Sequence, residues 1–335
     1  MLAIEGHQKP SKSILWRVRA VSVFRGLIPL QTGLFRFGSS IIADRAGRGA
    51  KRLKKQTTLK ESFSASGIGL HSNSPVNVRV RPAPAYTGYV FRRTDLNDFE
   101  VPAAPQFVTH VSYATTLMKS GVMVSTVEHL LSALLGLGVD NAIIELDSLE
   151  VPIMDGSARQ WVELIERAGT IELQAPRAYL RVLKRIEVSE KNRFMSIEPA
   201  DEFRITCEID FNHPMIGHQS REISFKADGY SAEIAPARTF GFVEELEMLR
   251  KNGLARGGSL ENAIALTPEG ILNHEPLRFG DEFVRHKILD IIGDLALCGM
   301  PIKGHIRASR SGHGLHTMLL STLLRDESAW EMSTN

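Results

Sequence analysis

A chain of 335 residues with 43% apolar and 23% charged residues has the composition of a globular protein, and its length suffices for two domains. Residues 1–55 hold 12 of the 40 lysines and arginines but only two of the 38 acidic residues, so the other 280 residues carry 28 basic and 36 acidic groups and nucleic-acid binding is not predicted. The two cysteines, Cys207 and Cys298, exclude a cysteine-rich metal cluster and predict a reducing compartment, and no apolar run approaches the ~20 residues of a membrane span.

The basic leader, residues 1–53, is predicted to be a disordered extension outside the folded domains. Its many arginines and few acids are typical of a mitochondrial presequence or of a segment that touches anionic lipid. Arg17, Arg19 and Arg25 interrupt the stretch 13–30, which argues against a secretory signal. We favour a third interpretation, an upstream stretch that does not belong to the functional protein, for the reason given below.

Apolar periodicity and turn residues predict a mixture of strands and helices in the first half of the remaining chain. In chain order, the predicted elements are a strand at Asn77–Arg81, a helix at Glu128–Leu137, a strand at Asn141–Leu146 and a helix at Ser157–Ala168 capped by Asp155 or Ser157. Pro176 then marks a plausible boundary at 174–177. This divides the chain into a domain at 54–175 and a domain at 176–335.

The second half repeats the same mixture of short strands and helices. The predicted elements are strands at Arg193–Pro199, Phe203–Phe211 and Glu222–Phe225, a helix at Glu244–Asn252, a strand at Asn262–Leu266, a helix at Asp281–Leu297 and a strand at His305–Arg310. Two halves of this kind predict an α+β fold with two related layers rather than a β-α-β array.

The helix predicted at Asp281–Leu297 carries the most informative pattern in the chain. His286, Asp290 and Asp294 follow one another at intervals of four residues, and at about 100° per residue they leave one face of the helix together. The opposite side is apolar, as in a helix packed by one flank: Val284, Ile288, Ile291 and Leu295. The polar stripe could simply face solvent, although solvated faces usually carry Lys, Glu and Arg. Two ligand-type groups need a third from elsewhere to hold Zn²⁺ with an open position.

The pair Glu128-His129, at the start of the first predicted helix, can supply that third ligand. A second interpretation of Glu128 is structural, because Ser125 three residues earlier fits a capping box at the start of an apolar helix. The pair does not stand in either of the usual zinc-helix arrangements, in which a glutamate and two histidines share one helix. This segment therefore leaves both interpretations open.

Together these segments closely resemble the UDP-3-O-acyl-N-acetylglucosamine deacetylases, the zinc amidases that commit a precursor to lipid A synthesis. The resemblance covers about residues 53–330, and its motifs are Gly67–His71 (GIGLH), Arg81–Pro84 (RPAP), Ser125–His129 (STVEH), Val139–Asn141 (VDN), Val151–Ala158 (VPIMDGSA), Ala237–Phe242 (ARTFGF), Gly257–Ser259 (GGS), Leu277–Leu295 (LRFGDEFVRHKILDIIGDL) and Ser311–His313 (SGH).

The resemblance implies two domains of similar α+β fold, each a sheet packed on helices, sandwiched helix-to-helix with the active site in the cleft between them. It also implies an insert in the second domain, at about 241–262, that forms an apolar passage for the substrate's acyl chain. The residues expected to line the passage are Phe242, Val243, Leu246, Leu249 and Leu254.

By the same resemblance, His129, His286 and Asp290 are the zinc ligands, while Lys287 and Phe240 contact the substrate. The implied substrate is a UDP-3-O-(3-hydroxyacyl)-N-acetylglucosamine. Its hydrolysis would give acetate and the UDP-3-O-acyl-glucosamine.

The remaining catalytic positions also follow from the resemblance. Glu128 matches the general base, and His313 matches the cationic partner that stabilises the oxyanion or protonates the leaving amine. Asp294 matches the carboxylate that keeps this imidazole charged, and Thr239 matches the hydroxyl that donates to the oxyanion. His316, where relatives often have Asn, competes with His313, but the Ser-Gly-His context favours His313.

The resemblance bears on the leader as well, because the family pattern begins near Lys54 and Leu53 lies where an initiator would stand. It favours residues 1–52 as a misassigned upstream extension of a monomeric, cytoplasmic bacterial enzyme. The alternative is a mitochondrial enzyme with a genuine presequence.

A competing class of function is a catalytically inactive protein of the same fold that binds nucleotide sugars or acyl lipids. The metal-ligand and base positions all keep the residue types that catalysis needs, so a hydrolase is favoured over a binding protein.

Overall fold

The computed structural model describes residues 53–225 and 227–334, which combine several sheets with helices and confirm the predicted α+β class. These residues all belong to one unit, Lys51–Asn335. Of the predicted extension 1–53, only Leu53 falls within the described residues. None of the described helices is both long and apolar enough to span a membrane. The division into domains at 54–175 and 176–335, packed helix-to-helix, stays a prediction.

Alternation of apolar and polar residues creates the strands of the first half. In Pro75–Pro82, for example, Val76, Val78 and Val80 are buried while Asn77 and Arg79 are exposed. The elements are β1 (Lys55–Leu59), β2 (Phe63–Ile68), β3 (Pro75–Pro82), β4 (Tyr89–Arg93), β5 (Phe99–Pro102), β6 (Val108–His110), β7 (Thr116–Lys119), β8 (Val122–Val124), α1 (Glu128–Gly136), β9 (Ala142–Leu146), α2 (Arg159–Ala168) and β10 (Thr170–Pro176). The four elements predicted here are therefore confirmed, with ends that differ by at most two residues.

Five of these strands form one sheet in the order β2-β3-β9-β4-β5. Its neighbours are antiparallel except β4 and β9, which run parallel. Strands β6 to β8 form a small separate sheet, and β8 leads directly into the short loop before α1. That connection fixes where Glu128 and His129 enter the helix.

The second half is also a mixture of strands and helices. Its elements are β11 (Tyr179–Val182), β12 (Ile186–Glu190), β13 (Arg193–Glu198), β14 (Phe203–Phe211), β15 (Gly217–Ser224), α3 (Ala227–Glu233), β16 (Phe240–Phe242), α4 (Val243–Lys251), β17 (Ile264–Thr267), β18 (Gly270–Ile271), α5 (Glu282–Leu295), β19 (Ile302–Ser309), α6 (His313–Arg325) and β20 (Trp330–Ser333). A seven-stranded sheet runs in the order β12-β13-β19-β11-β20, and β14 pairs with both β15 and β19.

Most predicted elements of this half are confirmed with shifted ends, but the strand predicted at Glu222–Phe225 begins too late. The observed β15 starts at Gly217 and consists of half-buried residues alternating with exposed ones. Among the described strands it pairs only with β14, so it forms an edge of the sheet and buries no apolar stripe that the sequence could reveal.

Helices α1 and α5 pack directly against each other, and Gly293 permits their close approach. A Cβ at this position would lie 2.0 Å from the carbonyl oxygen of Glu128, far inside contact distance. Only glycine therefore lets α5 lie against the first turn of α1. The contact brings Glu128 and His129 beside the polar side chains of α5.

The expectation that α5 packs by one flank is wrong. Val284 and Ile288 on the apolar side are fully buried, but His286, Asp290 and Asp294 on the polar side are also at most 3% exposed. The physical reason is that α1, the segment before β16 and α6 cover the polar side with groups that bind it. The alternative of a solvated face is thereby excluded.

The predicted cap of the second helix is also wrong in detail. Helix α2 begins at Arg159, and its N-cap residue, Ala158, makes no side-chain cap. Ser157 instead accepts a hydrogen bond from the N–H of Arg159, and Asp155 accepts one from the N–H of Ser157. The polar residues stabilise the turn before the helix rather than the helix end itself.

Candidate active site and metal centre

Three buried side chains approach one another where α1 meets α5: His129, His286 and Asp290. One nitrogen or oxygen atom of each lies within 4.8 Å of the others. The Nε2 atoms of His286 and His129 lie 3.4 and 3.8 Å from Oδ1 of Asp290. A tetrahedron with metal–ligand bonds of about 2.0–2.1 Å has edges of roughly 3.4 Å, so this spacing suits a shared metal ion better than direct hydrogen bonds.

Neighbouring groups fix the orientation of two of these three side chains. His286 Nδ1 lies 3.0 Å from the carbonyl oxygen of Ala237, which can accept its N–H and leave Nε2 as the free ligand atom. Asp290 Oδ2 accepts a hydrogen bond of 2.9 Å from Lys287 Nζ, which leaves Oδ1 free. His129 Nδ1 is buried without a hydrogen-bond partner among the described residues.

The protonation states of these three side chains are those that bind a metal cation. Burial lowers the pKa of His129 to about 3 and also lowers the pKa of His286, so both imidazoles are neutral at physiological pH. Burial acts to raise the pKa of Asp290, but nearby positive charge, chiefly that of Lys287, outweighs it and holds that pKa far below its usual range. Two neutral imidazoles and a carboxylate are the protonation states in which these groups bind metal.

The loop before α1 is held in a strained conformation. Thr126 has φ = 56°, in the left-handed region that β-branched residues rarely adopt. Its Oγ1 donates a hydrogen bond of 2.9 Å to Glu150, a carboxylate only 1% exposed that also accepts the N–H groups of His71 and Ser72. Such strain, about 1–3 kcal/mol, persists only where neighbouring groups fix it. Glu150 thus holds the turn that presents Glu128.

Glu128 does not act as part of a capping box, so that interpretation is wrong. Helix α1 begins at Glu128 itself, whereas a capping box places the glutamate at the third helical position. Its Oε2 accepts the N–H of Thr115 at 3.1 Å, and Ser125 Oγ pairs with Thr116 Oγ1 at 2.7 Å. The carboxylate is 2% exposed, and burial raises its pKa well above its usual range although the charge of His313 opposes the shift. A carboxyl of this kind is a candidate general base.

A second cluster lies one helical turn further along α5, around Asp294. Its Oδ2 is 2.7 Å from Nδ1 of His313 and 2.7 Å from Nδ1 of His316, and its Oδ1 accepts a hydrogen bond of 2.6 Å from Thr115 Oγ1. His316 Nε2 is 3.0 Å from Ser311 Oγ. Both carboxylate oxygens of Asp294 therefore accept hydrogen bonds, one from Thr115 and two from the imidazoles.

The two imidazoles on Asp294 differ in charge. Burial opposes the charged form of His313, but the charge and hydrogen bond of Asp294 outweigh it and raise its pKa to about 10. Burial lowers the pKa of His316, which is completely enclosed. His313 Nε2 also lies 3.8 Å from Glu128 Oε1, whereas His316 Nε2 is occupied by Ser311. The geometry thus favours His313 over His316 as the proton donor.

The positions predicted to contact substrate flank this centre. Lys287 Nζ lies 5.6 Å from the ring centroid of Phe240, whose ring is 6.4 Å from that of His286 and 5.0 Å from that of Phe283. Thr239 is half-buried, and its backbone is bound at both ends, to the carbonyl of Gly156 and to the N–H of Ile264. The segment that carries Thr239 and Phe240 is therefore firmly held beside His286.

The predicted insert at 241–262 contains α4 and the loop that follows, between the parallel strands β16 and β17. Phe242 and Phe240 pack around Phe211, with ring centroids 5.9 and 5.7 Å away. Leu249 is buried on α4, whereas Met248 is 50% exposed. Whether these residues form a passage stays a prediction.

The structure brings together eight of the nine residues predicted for the site, and the ninth, Thr239, precedes Phe240 in the chain. It also adds groups that the sequence did not reveal. Thr115 binds both Glu128 and Asp294, Ala237 binds His286 through its carbonyl, and Glu150 fixes the turn before α1. A backbone group has no sequence signature of its own. Thr115 lies just before β7, and a buried threonine at such a position has no sequence signature of its role.

Comparison with known proteins gives a consistent family. The family model described as UDP-3-O-acyl N-acetylglycosamine deacetylase matches residues 56–325. Proteins named UDP-3-O-acyl-N-acetylglucosamine deacetylase are similar to this chain. The one from Solibacter usitatus is 47% identical over 84% of this chain and 95% of its own length. Those from Cellvibrio japonicus and Myxococcus xanthus are 48% and 49% identical, over 84% and 83% of this chain and 93% and 88% of their own lengths.

Proposed function

The chain belongs to the UDP-3-O-acyl N-acetylglycosamine deacetylase family, and we propose that it hydrolyses the acetamide of a UDP-3-O-acyl-N-acetylglucosamine with one zinc ion held by His129, His286 and Asp290. The observation that carries the proposal is the arrangement along α5. Asp290 of the metal-ligand set lies one turn before Asp294, and Asp294 binds the charged imidazole of His313. The Glu128 carboxylate lies 3.8 Å from His313 and belongs to the residue that precedes His129. A binding protein has no use for this combination.

The donor set fits zinc on chemical grounds. Two imidazoles and one carboxylate are typical ligands of a catalytic zinc site with an open position, and the buried, neutral state of both imidazoles suits binding. A zinc ion held there would supply Lewis acidity toward the acetamide carbonyl and toward water. Lys287 donates a hydrogen bond to Oδ2 of Asp290, and its positive charge keeps this carboxylate ionised.

Glu128 takes the proton from the attacking water in this proposal. Its raised pKa makes it a stronger base than an exposed glutamate, and the N–H of Thr115 fixes the position of its carboxylate. As the C–N bond breaks, His313 gives its Nε2 proton to the departing nitrogen, which leaves as a neutral amine. Asp294 holds the imidazole in place and favours its charged form until that transfer.

Thr239, Phe240 and Lys287 serve the substrate rather than the proton transfers. We assign to the Thr239 hydroxyl a hydrogen bond to the developing oxyanion of the acetamide. Thr239 lies just before β16, and its backbone is fixed between Gly156 and Ile264. The Phe240 ring and the Lys287 ammonium, which lie within 5.6 Å of each other, would contact the sugar and its acyl group. The aromatic side chains of β16 and the insert at 241–262 would accommodate the acyl chain.

We further propose that the enzyme acts as a monomer in a cytoplasmic compartment. Its two cysteines are both free thiols, as expected in a reducing environment. Sedimentation analysis of the purified protein would test the monomeric state.

Metal removal and replacement test the proposed activity. The purified full chain is stripped with a chelator and supplied with zinc or with magnesium, and acetate release from UDP-3-O-acyl-N-acetylglucosamine is measured. We expect the stripped protein to be inactive and zinc to restore turnover, whereas magnesium, which requires oxygen ligands, should not. Undiminished acetate release by the stripped protein would contradict the zinc assignment.

A further inference from the structure

Glu282 is the first member of a polar column on α5 that neither of the two clusters uses. It precedes His286, Asp290 and Asp294 at the same interval of four residues, so it leaves the helix on the same face. It is 0% exposed, in the first turn of the helix. A carboxylate so deeply buried must be compensated by nearby donors.

The compensation comes from one short segment and its neighbour. Oε1 of Glu282 accepts the backbone N–H of Arg238 at 3.0 Å and its Nε–H at 2.9 Å, and Oε2 accepts Nη2 of Arg238 at 3.2 Å. Oε2 also accepts the backbone N–H of Arg278 at 2.6 Å. The Arg238 side chain is itself only 3% exposed. Glu282 therefore binds both the main chain and the side chain of residue 238.

Residue 238 lies between two groups of the site. On one side, Ala237 offers its carbonyl to His286 Nδ1 at 3.0 Å. On the other side follow Thr239 and Phe240, the residues proposed to contact the substrate. Any displacement of residue 238 would move the acceptor that orients His286, and it would move the hydroxyl assigned to the oxyanion as well.

We infer that Glu282 is a positioning residue of the metal centre: it clamps Arg238 so that the neighbouring Ala237 carbonyl holds His286 with Nε2 toward the ion. This inference rests on the proposed function, because it takes His286 as a metal ligand. Both contacts start from α5. Glu282 and His286 are one helical turn apart, and each binds one residue of the segment at 237–238. Outer partners of this kind typically matter about 10–100-fold for metal affinity or activity.

The test compares Glu282→Gln with Glu275→Gln in the full chain. Glutamine keeps the size of Glu282 but replaces one acceptor oxygen by an amide that cannot accept the N–H groups of Arg238 or Arg278. Glu275 is the matched control, because it binds Nη1 of the same arginine at 3.1 Å but its side chain is 63% exposed. Zinc affinity is measured by competition with a chelator, and circular dichroism with thermal unfolding of the zinc-free proteins checks the fold.

We expect Glu282→Gln to bind zinc about 10–100-fold more weakly and Glu275→Gln to bind it like the parent protein. A folded Glu282→Gln with parental zinc affinity, or an equal loss in both variants, would overturn the inference. A parent protein that binds no zinc would instead contradict the proposed function, so the two failures are distinguishable.

If Glu282→Gln does not fold, Arg238→Lys decides the question. Lysine keeps the backbone N–H and the positive charge but loses the fork that engages both oxygens of Glu282. We expect its zinc affinity to fall by roughly tenfold, the lower end of the range for outer partners. Unchanged affinity in a folded Arg238→Lys would overturn the inference.

Discussion

Helix α5 contributes one aspartate to each of two clusters. Each cluster consists of one aspartate and two histidines, but the clusters differ in the distance between the imidazole nitrogens and the carboxylate. Asp290 meets His129 and His286, and Asp294 meets His313 and His316. Around Asp290 the imidazole Nε2 atoms remain 3.4 and 3.8 Å from the carboxylate oxygen. Around Asp294 both Nδ1 atoms lie at 2.7 Å, within hydrogen-bond distance.

The difference shows that residue types alone do not decide between a metal site and a proton site. In the first cluster, outside groups bind the remaining atoms, Ala237 on His286 and Lys287 on Asp290, so the inner atoms are free to bind an ion. In the second cluster the imidazoles bind the carboxylate itself, which leaves no gap for an ion but stabilises positive charge on His313. One helix thus places Asp290, a proposed metal ligand, one turn before Asp294, the partner of the proposed acid His313.

The largest expected effect is a difference in zinc content between variants of the two clusters. We expect His286→Ala to lose stoichiometric zinc, with a fall in affinity beyond the ~100-fold that loss of an outer partner costs. His316→Ala should keep its zinc, because among the described residues the nitrogens of this imidazole bind Asp294 and Ser311, neither of which is a proposed zinc ligand. Elemental analysis after dialysis measures both variants. Full zinc retention in His286→Ala would remove this residue from the ligand set.

Glu128 lies between the clusters, and its replacement should lower turnover while leaving the residues of both clusters in place. Glu128→Gln keeps an acceptor for the N–H of Thr115 but cannot take a proton from water. We expect kcat to fall by roughly 10²–10⁴-fold, the usual loss for a general base, with zinc content and thermal stability close to those of the parent. Near-normal turnover would mean that Glu128 has only a structural role.

The second cluster should govern the alkaline side of the pH profile. Because Asp294 raises the pKa of His313, the imidazole stays charged below about pH 10 and loses its proton as the pH rises through that value. The charge of a bound ion would lower this value. Asp294→Asn removes the stabilising anion, so the alkaline limb of kcat/KM should move to lower pH, and His313→Ala should lack it.

A profile of kcat/KM from about pH 5 to 11 extends past the raised pKa of His313 and covers these titrations. An alkaline limb that is unchanged in both variants would exclude His313 as the acid. His316 or Lys287 would then be the next candidate.

The same comparison shows how far the sequence predicts this site. The intervals of four residues place His286, Asp290 and Asp294 on one face of α5, and the structure has them there. The residue types of Glu128-His129 make this pair a candidate source of the third ligand, and the resemblance to a known family assigns their roles and adds His313 from α6. What the helical pattern cannot say is which neighbours each face will meet. The polar face of α5 is covered by α1, α6 and the segment before β16, so a stripe that looks solvated is buried.

Other misses have the same origin in long-range contacts. The Ser125–Glu128 spacing satisfies the local rule for a capping box, but the N–H that Glu128 binds belongs to Thr115, outside the helix. Glu282 also lay within the helix that the sequence singled out, yet its partner, Arg238, is 44 residues away. Local rules identify which side chains can bind, and the fold selects the partner.

The smallest effect expected here concerns the contact that joins the first cluster to α1. A Cβ at Gly293 would lie 2.0 Å from the Glu128 carbonyl oxygen, so Gly293→Ala must push α1 away. Overpacking of this kind costs about 1–3 kcal/mol, and the better helix propensity of alanine returns up to ~1 kcal/mol, so unfolding in urea should show a net loss of about 1–2 kcal/mol. Gly229 is the matched control, because it lies in α3 with no atom of the described residues within 4 Å of an added Cβ, and Gly229→Ala should be neutral or stabilising. Since His129 comes from α1 while His313 and His316 come from α6, Gly293→Ala should weaken zinc binding yet keep the alkaline limb of the pH profile. Equal disturbance of zinc affinity and of that limb would mean that the two clusters are not independent units on the same helix.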